Sequence, residues 1–261
     1  MTGKLLLRGM LAGLVTALLS FGFFKVVGEP LVERAIAFEK SMDEAKAKAK
    51  ADEAAAKGLP APVEEAEPEL VSRPVQAGIG LLTGVVVYGA TVGGLFALVF
   101  ALAYGRIGNL SPRATAALLA LLGFVSVYLA PMLKYPANPP SVGLPDTIGM
   151  RTGLYFTMVS ASLAVLIAAG LLRSALNKPL GGWNATLIAA AAYIVVMVGV
   201  GLALPDVNEV PEGFSAGLLW QFRLASLGGQ AIVWTTLGLL FGVFAEHVVG
   251  VEKPAFRQAL A

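Results

Sequence analysis

The stretch AGIGLLTGVVVYGATVGGLFALVFALA, from Ala77 to Ala103, contains no charged residue. A bilayer core about 30 Å thick is crossed by roughly 20 apolar residues in a helix, and an unpaired peptide group in hydrocarbon costs several kcal/mol. The run therefore reads as a membrane-spanning helix. Working outward, five further stretches meet the same test: Met10 to Val27, Ala114 to Leu133, Thr152 to Leu172, Trp183 to Leu204 and Leu224 to Ala245. The expected fold is all-α: a polytopic membrane protein, a bundle of about six transmembrane helices forming a single membrane domain over 1–261. Ser111 followed by Pro112 supplies an N-cap and first-turn proline ahead of the third span, and Pro131 is expected to mark its other end.

Composition agrees. Of 261 residues 57% are hydrophobic and 14% charged, against about a quarter charged in an ordinary soluble domain. A net charge of +2, evenly distributed, gives no footprint for nucleic acid. With no cysteine, thiolate metal sites, disulfides and cysteine nucleophiles are excluded. The only histidine, His247, follows Glu246 at the inner end of the last span and reads as an interfacial residue. A Ser-His-Asp set is excluded elsewhere, and there is no phosphate-binding glycine loop. No enzymatic activity is expected, and no tightly bound cofactor.

Basic residues near the span ends set the orientation. With the N-terminus inside, the cytoplasmic side holds Lys4, Arg8, Arg106, Arg113, Arg173, Lys178, Lys253 and Arg257, whereas the short outer loops hold only Lys134 and Arg151. Both termini are thus expected in the cytoplasm, with Asp146 and Glu209 outside. A cleaved signal peptide is the alternative for the first stretch, but Lys25 to Pro30 lacks a clear small-residue cleavage pattern, and an uncleaved helix is expected.

The loop over 28–76 contains an Ala, Glu and Lys-rich stretch, Glu33 to Lys57, of strong helix propensity, read as a solvated spacer helix. A return segment rich in Pro and Glu follows, Gly58 to Glu69. Within the spans, glycines recur at a spacing of four: Gly9 and Gly13, Gly80 and Gly84, Gly89 and Gly93, Gly238 and Gly242. Such pairs let backbones approach closely in lipid, and Gly80, Gly84, Gly89 and Gly93 are expected on one contact stripe.

Two proline-rich outer loops look built rather than loose: Lys134 to Thr152, and Leu204 to Phe214. They carry Asn138, Asp146, Asp206, Asn208, Glu209 and Glu212, near Glu29 at the end of the first span. Carboxylate and amide oxygens suit hard or borderline divalent cations, and acids on one face concentrate cations at a pore mouth. These seven residues are the candidate metal ligands. Arg151 and Arg223 stand at the starts of the fourth and sixth spans as candidate charge-pair or gate residues. Arg223 either pairs with Asp206, Glu209 or Glu212 or snorkels to the interface, and the sequence favours neither.

Three groups of residues resemble the CbtA family: Phe24 to Pro30 with Arg34 to Glu39, Lys134 to Pro140, and Asn208 to Glu212 with Leu219 to Gly228. The resemblance runs from Leu5 to about Val249. It implies a cobalt transporter subunit, associated with cobalamin-related genes and with a small single-span partner, CbtB. By position it points to Glu29, Tyr135, Asn138, Asn208, Glu209, Glu212, Trp220 and Arg223. Two departures stand out. Members often carry histidines in the first outer loop, and there is none here between Gly28 and Gln76; Ser215 stands where proline is expected.

The resulting expectation is a membrane subunit of a divalent-cation, cobalt, transport system in a bacterial inner membrane. It would work in the lipid bilayer with a CbtB-type partner, with self-association as a further option, and cobalt or another divalent cation would be its substrate. The rival expectation is a structural or regulatory subunit that organises a partner and carries no ion.

Overall fold

The structure is a computed structural model and describes residues 1–58, 60 and 70–258, with side chains to Gly250. Most of the return segment Gly58 to Glu69 lies outside the described residues. Those described are helical wherever they are regular, and five helices are long and apolar enough to cross a membrane: α1 (Thr2–Ala56), α2 (Arg73–Ala103), α3 (Pro112–Lys134), α4 (Pro145–Ala203) and α5 (Ala216–Gly250).

The first span and the charged helix expected after it are one rod. A π-helical turn over Phe24–Gly28 carries α1 on into Glu29–Ala56 without a break. Pro30 is tolerated because it falls in the first turn after that π-turn. Pro131 likewise fails to end α3, a correction to the sequence reading. Residues Phe124–Leu129 form a π-turn and the helix runs on through Ala130–Lys134. Proline cannot donate to the carbonyl four residues back, Val127, and the Tyr155 hydroxyl reaches that oxygen from α4 at 3.5 Å. At the other end Ser111 caps α3 as expected, accepting from the Ala114 N–H at 3.1 Å.

The longest helix, α4, is not straight. Gly181 has φ 76° and ψ 158°, a conformation outside the helical region, two residues after Pro179. The chain folds back there. Ser162 and Tyr193 share a hydrogen bond of 2.6 Å, and Arg173 Nε donates to Thr186 Oγ1 at 2.9 Å. On a straight helix residues 162 and 193 would be about 46 Å apart. Met158 and Met197 then pack together with Ala130.

The main core lies between α1, α2, α3 and α5, around Leu5, Phe96, Phe100, Leu237 and Phe241. Here α1 and α2 touch backbone to backbone. A Cβ added to Gly13 would stand 2.7 Å from the Gly89 carbonyl carbon, and one on Gly93 would stand 2.9 Å from the Gly9 carbonyl carbon. On α5, Gly238 meets Ala120 at 2.5 Å and Gly242 meets Arg113 at 3.1 Å in the same sense. The expected stripe on α2 needs correcting, however. Gly84 has nothing within 4 Å, and Gly80 meets only Val75 of its own helix. The step from Gly84 to Gly89 is five residues, which rotates the face by about 140°. The two pairs cannot share a contact.

Candidate functional site: the outer loops

The loops over 135–147 and 204–215 lie against each other and against the first turns of Glu29–Ala56. Leu31 and Ala35 from that segment pack with Val142, Phe214 and Leu218. Phe38 meets Phe214 edge to face at 5.0 Å. Tyr135 donates its hydroxyl to the Pro205 carbonyl at 2.8 Å, and Lys134 pairs with Asp206 beside it.

Among the described residues Glu209 is the most connected acid of these loops. Its Oε2 accepts from the Leu144 N–H at 2.7 Å and from the Thr147 hydroxyl at 2.8 Å, and Arg151 Nε lies 3.5 Å away. Arg151 in turn donates from Nε to Thr147 Oγ1 and from Nη2 to the Leu144 carbonyl, each at 3.1 Å. The carboxylate therefore sits at the N-terminus of α4, where the helix field favours negative charge. Gly143, at φ 116°, is needed for this: a Cβ there would stand 2.5 Å from the Arg151 guanidinium carbon.

These contacts hold the Glu209 carboxyl below its ordinary pKa, first through the Leu144 N–H, then the Thr147 hydroxyl, with Arg151 adding a smaller pull. A depressed folded-state pKa means that the stabilisation is complete above the ordinary glutamate value, about 4.3, and is lost as pH falls through the folded value. Hydrogen exchange at Leu144 should accordingly stay slow from neutral pH to about pH 5, after correction for the intrinsic rate, and accelerate in stronger acid. In Glu209→Gln it should be fast throughout. Equal protection in both proteins would remove the carboxylate from this latch of Glu209, Thr147 and Arg151.

Among the described residues Arg223 is not paired with an acid, so of the two alternatives the partnership with Asp206, Glu209 or Glu212 is not the one formed. Its Nη2 donates to Asn138 Oδ1 at 3.0 Å and its Nε to the Ala137 carbonyl at 3.4 Å. The α4 N-terminus draws Glu209 away, and Lys134 takes Asp206. Glu29 is likewise drawn elsewhere. It pairs with Arg73, and this ion pair ties the rod to the start of α2. Asp146, Asn208 and Glu212 are exposed. Among the described residues no three His, Asp or Glu side chains converge as a metal-binding group. The sequence reading missed Thr147 as the third member of the latch. Its signal was the four-residue step from Thr147 to Arg151, which puts both on one helix face.

The profile of one family, described as "Probable cobalt transporter subunit (CbtA)", matches residues 2–246, nearly the whole chain. The chain belongs to the CbtA family. No curated protein matches it, and no solved structure does. Of the positions to which the CbtA resemblance pointed, Tyr135, Asn138, Glu209 and Arg223 hold the outer loops together, and Glu29 anchors the rod. Trp220 is 62% exposed on the apolar surface of α5. CbtA is a family of transporter subunits, not of catalysts, and the apolar helices place this member in a membrane.

Proposed function

We propose that the chain is the membrane-embedded subunit of a cobalt transport system, that it acts with a small single-span partner, and that divalent cations enter through the outer loops. The family match over residues 2–246 carries the reading. The fold-back at Gly181 supports six crossings: the limbs on either side, about 33 and 22 residues, are long enough for a bilayer core about 30 Å thick. The distribution of lysine and arginine supports cytoplasmic termini in the bacterial inner membrane.

At the outer face, Asp146, Asp206, Asn208 and Glu212 present oxygens to water, and Asp206 is 94% exposed despite its pairing with Lys134. We read them as an electrostatic mouth that concentrates cations, with Asn138, Glu209 and Glu29 as ligands that become available only when their present partners release them. Arg151, Arg223 and, for Glu29, Arg73 would be the groups released. Imidazole or thiolate is absent from this set, so cobalt selectivity would come from geometry or from the partner's side chains.

The test has two arms. Deleting the gene should lower cellular cobalt at limiting supply, and deleting the partner's gene should do the same; unchanged cobalt in both strains overturns the transport reading. A single cysteine in place of Asn208 should be labelled from outside the intact membrane. Labelling only from the cytoplasmic side would invert the topology.

A further inference from the structure

The two limbs of α4 are held by the rest of the molecule at one end. Toward the outer loops they pack on Phe124–Lys134 of α3, through Met158, Met197 and the Tyr155 hydroxyl. Toward the fold-back at Gly181 no other helix packs closely on them among the described residues, and only 17% of the most apolar stretch of α4 is buried, against 50% for α5. The fold-back end therefore lacks a protein anchor.

Its own residues point to another kind. Arg173 directly follows the apolar stretch that ends at Leu172, and Trp183, 75% exposed, opens the next one, so both stand at headgroup depth. Arg173 is held in place. Its Nε donates to Thr186 Oγ1 at 2.9 Å, and that hydroxyl donates in turn to the Gly182 carbonyl at 2.7 Å. The edge formed by Nη1 and Nη2 is left for a ligand. Lys178 stands five residues on, about 7.5 Å along the helix, and both cations are exposed. From Thr147 to Pro205 the sequence has no acidic residue, and among the described residues neither cation is paired with an acid. The bias of inward loops toward lysine and arginine accounts for the charge, but it does not require a guanidinium fixed by a threonine. Two parallel N–H donors match two oxygens of a phosphate, and at the edge of the hydrocarbon that phosphate belongs to a lipid.

We propose that the Arg173 guanidinium, assisted by Lys178, binds the phosphate of an anionic phospholipid at the cytoplasmic face, and that this headgroup tethers the fold-back end of α4. The inference rests on the reading of α4 as two crossings with the fold-back inside. Because the first limb starts beside Thr147 and Arg151, the lipid at one end and Glu209 at the other hold the same helix. The chain has no cysteine, so Ser174→Cys in the full-length protein carries a single bimane fluorophore into vesicles of phosphatidylcholine and phosphatidylglycerol. Nitroxide-labelled phosphatidylglycerol should quench it about fivefold more effectively than nitroxide-labelled phosphatidylcholine at equal mole fraction. The preference should vanish when Arg173→Gln and Lys178→Gln are combined. Thr186→Val removes no charge but frees the guanidinium, and should weaken the preference about twofold. If the double variant fails to insert, Arg173→Lys and Lys178→Gln are measured separately, each expected to lose part of the preference. Equal quenching by the two lipids, or a preference untouched by these substitutions, overturns the proposal. Loss of the preference in millimolar inorganic phosphate at constant ionic strength would make the ligand a free anion and overturn the lipid assignment. Labelling of Ser174→Cys by an impermeant maleimide outside intact cells would instead overturn the inward fold-back, and with it the six-crossing reading, whichever lipid is preferred.

Discussion

Replacing Gly93 with leucine should leave little folded protein in the membrane, whereas the same change at Gly84 should be nearly silent. The backbones of α1 and α2 already touch at Gly9, Gly13, Gly89 and Gly93, and the atoms nearest an added Cβ at Gly93 belong to the Gly9 carbonyl and to the Gly13 Cα. Backbone cannot rotate aside as a side chain can. In lipid there is no hydrophobic drive to hold separated helices together, so losing close packing removes most of what joins this pair. Overpacking ordinarily costs about 1–3 kcal/mol, and a rigid backbone contact belongs at or above the top of that range. Gly84 has open space around it. Detergent melting and the monodisperse yield of the two variants, at equal expression, make the comparison. Matching behaviour would show that the close approach does not hold the helices together.

The second expected result concerns the latch. Glu209→Gln should depress cobalt uptake several-fold at limiting cobalt, Glu212→Gln less, and Glu64→Gln, outside the described residues, hardly at all. Glu209 accepts two hydrogen bonds at the start of α4 and faces Arg151, so its neutralisation leaves that arginine uncompensated and loosens both loops at once. Glu212 is simply exposed. If the pair acts as a unit, Arg151→Gln in the Glu209→Gln background should add little, the non-additivity expected of side chains in contact. Fully additive losses would mean that the two residues act separately, and unchanged uptake in every variant would take this loop out of transport.

Much of this fold is legible in the sequence because hydrocarbon tolerates so few alternatives. An uncharged run such as Ala77 to Ala103 has one stable form in a bilayer, and Ser111-Pro112 has a local meaning that no distant contact alters. What escaped the reading depends on neighbours. Pro131 signals a helix end in isolation, but the π-turn before it and Tyr155 beside it accommodate the missing donor. The Gly80 and Gly84 pair obeys the same spacing as Gly89 and Gly93, and only the five-residue step between them separates the faces. At the site, the acids and arginines were identifiable by type, yet their pairing follows from which loop end meets which helix start. Proximity in sequence offers Asp206, Glu209 or Glu212 to Arg223, and the N-terminus of α4 takes Glu209 instead.

The unbroken passage of α1 from the core to Ala56 has a mechanical consequence. Residues Glu29–Ala56 extend about 42 Å from the apolar stretch, and their buried residues, Leu31 and Ala35, both lie near the base. That makes the segment a lever with its fulcrum at the outer loops. A tilt of about 10° at the base would sweep the tip through about 7 Å. Conversely, a modest force applied at the tip would be multiplied into torque where Phe38 meets Phe214, beside the helix that carries Asn138's partner, Arg223.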